Sequence, residues 1–306
     1  MATNLIKNRS EILFLYDVKD TNPNGDPMDE NKPRIDEETG INIVTDVRLK
    51  RTIRDYLYNY KGQEIFILEI RDEKGNLKTK EQRLEDFKND PSEVITKCID
   101  VRLFGATIAV KDKTIVLTGP VQFKFGRSLH KVDLTYIKGT TVMPSGAEKR
   151  QGTFTERYIL PYSLIAFYGI VNENAAKYQN ISLTEEDILL MLEGIWNGTK
   201  NLISGSKFGQ MPRFLMQVIY KENFNFYIGE LDKLISLKTE KRDEEIRHIS
   251  EVKIDITNLV NALNTHKEKI EKIRFKTDDR VKFIKNGIDT NLKEALESFT
   301  LDELNF

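Results

Sequence analysis

The run Glu11-Ile-Leu-Phe-Leu-Tyr-Asp-Val18 constrains the fold more than any other stretch, because it is β-rich and apolar on both of its faces. Such a strand belongs in the middle of a sheet. The next strong signal is helical. Leu49, Ile53, Tyr56, Leu57 and Tyr60 recur at the spacing of a buried stripe, with Thr45 or Asp46 as N-cap, so the pattern predicts a helix over residues 46–60. Extended patterns follow at 120–128 and 155–171, the latter interrupted by Pro161-Tyr-Ser, then a helix at 184–197 and a strand at 214–220. That order, βαββαβ, predicts an α+β fold of the RRM/ferredoxin-like type carrying large insertions.

Weaker patterns fill the intervals. A strand is expected at 64–70, an exposed charged stretch at 72–90, and one helix at 91–104 with Ser92 near its start. Val121, Phe123 and Phe125 alternate with polar residues, which points to a core-facing row with Lys124 opposite. Residues 130–157 are rich in Gly, Lys and Arg and read as a projecting hairpin with Met143-Pro at its apolar tip. Ser182 with Glu185 reads as a capping box for the helix that ends at Asn197-Gly198. Beyond Glu222 helical patterns recur near 258–273 and 292–299, without readable chemistry.

Charge bears on function through its distribution. The net charge of the 306 residues is −1, yet Lys113 to Val132 and Gly194 to Lys221 contain no acid and several cations each. The predicted helix carries Arg48, Lys50, Arg51 and Arg54 near its start, where the macrodipole already disfavours cations. A phosphate backbone is one reason for that placement; a solvated face paired with Asp46 and Asp55 is the other. The loop from Ser204 to Arg213 holds Gly205 and Gly209, which permit close backbone approach to a phosphate, beside Lys207 and Arg213.

Several chemistries are poorly matched. One cysteine, Cys98, excludes an intrachain disulfide, no apolar run approaches spanning length, and Met1 to Arg9 lacks an apolar signal core, so a cytoplasmic protein without membrane contact is expected. The three histidines lack partners at metal-ligand spacing, and neither a Walker A loop, a nucleophile elbow nor the RNP1 aromatic signature occurs. Asp20, Asn22, Asn24 and Gly25 match the opening of an EF-hand, but Asn31 stands where its bidentate Glu is required. No metal or cofactor is expected.

Five motifs together carry a resemblance: Asn22-Pro-Asn-Gly-Asp-Pro, Thr45-Asp-Val-Arg-Leu-Lys-Arg, Val101-Arg-Leu-Phe-Gly-Ala, Gly119-Pro-Val-Gln-Phe-Lys-Phe-Gly-Arg-Ser and Gly205-Ser-Lys-Phe-Gly-Gln-Met-Pro-Arg. In this order they resemble the Cascade backbone subunit of type I CRISPR systems, the Cas-seven superfamily, and within it the type I-B branch. The resemblance implies a non-catalytic subunit with an RRM-type palm, fingers at roughly 61–112 and a thumb at roughly 129–156, while the helical patterns after Glu222 read as a C-terminal helical extension at roughly 222–306. Its implied partners are CRISPR RNA, neighbouring copies of itself wound helically along the guide, other Cascade subunits, and target DNA through guide pairing. The RNA-contacting set it implies is Asn22, Asn24, Thr45, Arg48, Lys50, Arg51, Arg127, Ser128, Met143, Lys149, Arg150, Lys207, Gln210 and Arg213. Type III relatives cleave RNA with a loop aspartate. Asp26 lies in the comparable loop, and a metal-dependent ribonuclease using it is the alternative reading.

Overall fold

The computed structural model describes residues 4–110, 113–140 and 154–306. Its main sheet has nine strands: β1 (Ser10–Thr21), β2 (Ile41–Val44), β3 (Val121–Phe123), β4 (Gly126–Lys131), β5 (Thr135–Thr140), β6 (Phe154–Val171), β7 (Met211–Tyr220), β8 (Ile270–Thr277) and β9 (Leu301–Glu303). Helix α1 (Asp46–Lys61) follows β2, and α2 (Glu185–Lys200) precedes β7. The spatial order is β9-β8-β7-β1-β6-β4-β2, with β3 and β5 pairing other stretches of β6. The apolar run at 11–18 is therefore central, flanked by β6 and β7 and antiparallel to both. The four strongest predicted strands stand as β7-β1-β6-β4, each antiparallel to its neighbour.

Both faces of β1 are covered, which is why it alternates so little. Ile12, Phe14 and Tyr16 pack with Leu49, Ile53 and Leu57 of α1 and with Ile188, Met191 and Ile195 of α2. Leu13 and Leu15 pack on the opposite face against Leu231, Ile254, Leu259 and Leu263. The residues after Glu222 thus supply a second layer as well as strands β8 and β9 of the main sheet. They are not the helical extension that their pattern predicts. Only Thr257–Thr265 makes a helix of more than two turns, and the end of that pattern, 270–273, instead opens strand β8 (Ile270–Thr277), which pairs antiparallel with β7. A four-stranded sheet, involving Ser236–Lys238, Lys253–Asp255, Phe283–Lys285 and Ile288–Thr290, completes this layer.

Other local expectations shift for identifiable reasons. Residues 64–70 form no strand, because the N–H groups of Phe66 and Ile67 donate to the Asp100 carboxylate (2.8 and 3.1 Å) in place of a neighbouring strand. The predicted helix at 91–104 divides into Pro91–Lys97 and Ile99–Phe104 at Cys98, whose ψ is 110°. Phe125 is 54% exposed while Phe123 is buried, since the chain leaves the ladder between β3 and β4 and the alternation restarts at Gly126 beneath the Phe167 ring. Strand β6 runs without interruption; its register with β1 omits Pro161 and Asp20, so the missing proline N–H has no partner to lose.

Helix α2 begins two residues later than its predicted box. Thr184 and Asp187 exchange the capping bonds, at 3.1 Å each. It also continues past Gly198 to Lys200. A Cβ at Gly198 would lie 3.0 Å from the Thr52 carbonyl oxygen and one at Gly194 3.1 Å from Ile53 Cγ2, so these glycines serve close packing on α1 and do not end the helix. Among the described residues, no helix is long and apolar enough to cross a membrane.

Candidate nucleic-acid interface

Three segments meet beside the end of β1: the loop from Asn22 to Arg34, the first turn of α1 and the glycine loop before β7. Asn24 joins the first two. Its Oδ1 accepts from the Thr45 backbone N–H (2.8 Å) and hydroxyl (2.9 Å), while Thr45 Oγ1 caps α1 by accepting from the Arg48 N–H. The glycine loop is tied to the first. The Ser206 carbonyl accepts from the Asn22 N–H at 2.9 Å and from the Thr21 hydroxyl, and Arg157 Nη1 reaches the Gly205 carbonyl at 3.2 Å. Thr21 and Arg157 are absent from the sequence-derived set; the polar Thr21 closing an apolar strand was the available signal for the first.

The cations of α1 divide once their partners are known. Lys50 Nζ pairs with Asp46 at 2.8 Å, Arg51 with Asp55 at 2.7 Å and Glu69 at 3.3 Å, and the buried Arg54 with Asp100 at 2.9 Å. Arg48 is different. Its Nη2 donates to Thr52 Oγ1 at 2.9 Å, no carboxylate pairs with it among the described residues, and its buried Nε has no hydrogen-bond partner there. Burial, and then the Arg51 charge, disfavour its protonated form, against the charges of Asp55 and Tyr16. Lys207 is likewise held below the usual lysine range, by burial first and then by the charge of Arg48. Each of these two cations would gain from an anion between them.

The remaining residues sort by burial. Gln210 is 5% exposed, and its Nε2 is buried without a partner among the described residues. Asn22 is buried with its Oδ1 in the same condition. Arg127 is exposed and 3.4 Å from Asp36. Ser128 is buried and fully used: its hydroxyl donates to the His130 carbonyl at 2.6 Å and accepts the Asn42 N–H at 2.9 Å, pinning β2 to β4. Arg213, 3% exposed, pairs with Asp17 and Asp278 at 2.9 Å each and ties β7 to the second layer. In this arrangement both side chains are engaged within the protein, Ser128 by hydrogen bonds and Arg213 by two carboxylates. Met143, Lys149 and Arg150 lie outside the described residues; the hairpin arms that lead to them, β5 and the start of β6, pair from Thr140–Phe154 to Thr135–Ile159.

The strands of the two acid-free segments are not neighbours in the sheet. Strands β1 and β6 separate β7 from β4, and acids elsewhere neutralise part of the charge, as where Glu230 pairs with Lys124 at 2.8 Å. Lys124, together with Lys233, holds the Glu230 carboxyl down at about 2. Asp26 accepts from the Met28 N–H at 3.0 Å and lies 3.5 Å from Arg34 Nε. No group of three or more His, Cys, Asp or Glu suited to a metal ion occurs among the described residues.

Comparison with known proteins follows this geometry. The family model described as CRISPR-associated protein Cas7 matches residues 8–257. A protein named CRISPR-associated protein Cas7 from Haloferax volcanii is 33% identical over 305 residues, covering 90% of this chain and 88% of its own. Two solved chains share the mixed α and β fold. One, from a CRISPR RNA-guided surveillance complex, has a TM-score of 0.55 at 13% identity, covering 96% of this chain and 94% of that one. The other, from such a complex in a pre-nicking state, has a TM-score of 0.59 at 12% identity, covering 97% and 96%. The family match and the extent of the identity to the Haloferax protein together make this chain a member of the CRISPR-associated protein Cas7 family.

Proposed function

We propose that the chain is a non-catalytic backbone subunit that binds CRISPR RNA, repeats along the guide with other copies of itself, and serves a type I Cascade complex of the I-B branch in recognising DNA. One observation carries the site assignment. Arg48 and Lys207, both lacking a carboxylate partner among the described residues, are near enough for their charges to repel, on segments that also carry the unsatisfied buried polar groups of Asn22 and Gln210. A phosphodiester backbone supplies the negative charge and the acceptors that Arg48, Lys207 and the Gln210 amide lack, whereas the Asn22 oxygen calls for a donor. Asn24 and Thr45 hold these segments in shape. Lys50, Arg51 and Arg127 are secondary contacts that would exchange a carboxylate for a phosphate, and Met143, Lys149 and Arg150 belong to the thumb.

The strand order β7-β1-β6-β4 supports reading the core as an RRM/ferredoxin-like palm, with fingers at roughly 61–112 and a thumb at roughly 129–156 inserted in it. The cytoplasm is the compartment in which such a particle would meet its guide. The ribonuclease alternative on Asp26 gains no observation in its favour.

Titration of a guide-length RNA over a range of salt tests the assignment. Arg48→Ala with Lys207→Ala should weaken binding and make the log–log salt slope shallower by about 1.4, since a single strand releases about 0.7 counterion per phosphate neutralised. Arg51→Ala, whose charge is already shared, should move the slope less. An unchanged slope in the double variant overturns the placement, and a particle whose size is indifferent to RNase overturns the backbone role.

A further inference from the structure

Asn22 is 2% exposed, and its amide has a defined orientation. Nδ2 donates to the Asn31 carbonyl at 2.6 Å; reversing the amide would set oxygen against oxygen. Its Oδ1 therefore remains a buried acceptor without a donor among the described residues. A buried acceptor left unpaired is costly, and the backbone around it is also held in an uncommon conformation: Asp20 and Asn31 have φ of +53° and +57°. Gly25 lets Asn31 close in, because a Cβ there would lie 2.1 Å from Asn31 Oδ1.

Asn22 lines a cleft of about 120 Å³ between the first loop, the root of the thumb strand and the glycine loop. The free acceptor selects the ligand. Asp20, Glu30, Glu156 and Arg157 line the cleft, with Lys32 3.5 Å from Glu30 and Lys138 3.8 Å from Glu156, and the Asn22 oxygen lacks a donor, which a phosphate oxygen does not supply and a neutral hydroxyl does. Arg48 and Lys207 are not among the cleft's lining residues, and it is beside them that an anion is favoured. On an RNA backbone the 2′-hydroxyl is the one donor, and it sits a few bonds from the phosphate.

Building on the RNA-binding reading above, we propose that Asn22 Oδ1 accepts a hydrogen bond from a ribose 2′-hydroxyl and is the group by which this chain distinguishes RNA from DNA. Phosphates held by Arg48 and Lys207 bring the strand in; Asn22 tests its sugar.

The test uses two oligouridylates of equal length, one with ribose and one with 2′-fluoro sugars, which retain charge and pucker but cannot donate. The full chain should bind the ribose form about fivefold more tightly per site, the worth of one neutral hydrogen bond. Asn22→Ala should bind both alike with its salt slope unchanged, which a general collapse of the loop would not leave intact. Equal affinities in the unaltered chain, as a base N–H donor would give, overturn the proposal, as does a ribose preference that survives in Asn22→Ala. If Asn22→Ala does not fold, the near-isosteric Asn22→Leu, which lacks the acceptor oxygen, decides: a lost preference supports the assignment and a surviving preference overturns it. Absence of RNA binding in the unaltered chain is a separate result, which defeats the RNA-binding reading itself.

Discussion

Arg48 and Arg51 stand one helical turn apart, yet only Arg51 has had its charge shared with carboxylates, Asp55 and Glu69. The difference is a matter of neighbours, and it turns a row of four cations into one unshared charge beside Lys207. His130 makes the same point about proton affinity. Its Nδ1 lies 2.8 Å from the Lys131 carbonyl and its Nε2 accepts the Leu164 N–H at 3.2 Å, so the neutral ring fits and an imidazolium would lose an acceptor. Burial accordingly lowers its pKa below 6.5, against the opposing influence of the Lys131 carbonyl and Asp243. Below pH 6.5 the unfolded chain takes up a proton that the folded chain refuses. Stability should therefore be full above that pH and fall as pH drops from there toward the folded-state value. Melting temperatures across this range should show a steeper acid loss for the unaltered chain than for His130→Gln; parallel curves would exclude His130 as the cause.

At the scale of elements, the segment 64–70 shows a strand-like sequence diverted by one side chain. Asp100 is fully buried and takes three donors, Arg54 Nε and the N–H groups of Phe66 and Ile67, thereby fastening the chain after α1 to α1 itself. Replacing it by Ala leaves a buried guanidinium and two amides unpaired. The expected loss is about 3–5 kcal/mol, the range for breaking one side of a buried ion pair, measurable by denaturant unfolding. A loss below about 1 kcal/mol would mean that water replaces the carboxylate. Helix α2 carries a related lesson. Gly198 looked like a terminator because glycine commonly follows a helix, but what required it was the nearness of Thr52 and Tyr56 on α1.

For the whole molecule, the second layer is the decisive feature. Leu13, Leu15, Phe214, Met216 and Val218 face it and are all fully buried, each side chain worth about 1.5–3 kcal/mol of apolar transfer. A chain truncated after Lys221 would expose that face and lose β8 and β9. It should aggregate or unfold without a cooperative transition, as light scattering and a thermal melt would reveal. A soluble, cooperatively folding truncation would mean that the layer is an accessory to an independent core.

The sequence by itself determined the central strand, both long helices, the order of the main strands and the motifs that carry the family resemblance, because apolar periodicity and local turn chemistry act over a few residues. It also placed Arg48, Lys207, Asn22 and Gln210 among the candidates. Only the tertiary structure decided which candidates remain available. Arg213 and Ser128 match the motifs as well as Lys207 does, but Asp17 and Asp278 meet the first and Asn42 the second from distant parts of the chain. The same holds for the residues after Glu222, whose strand β8 exists because β7 offered it an edge. Charge sharing, burial and sheet pairing are long-range properties, and a pattern read along the chain does not contain them.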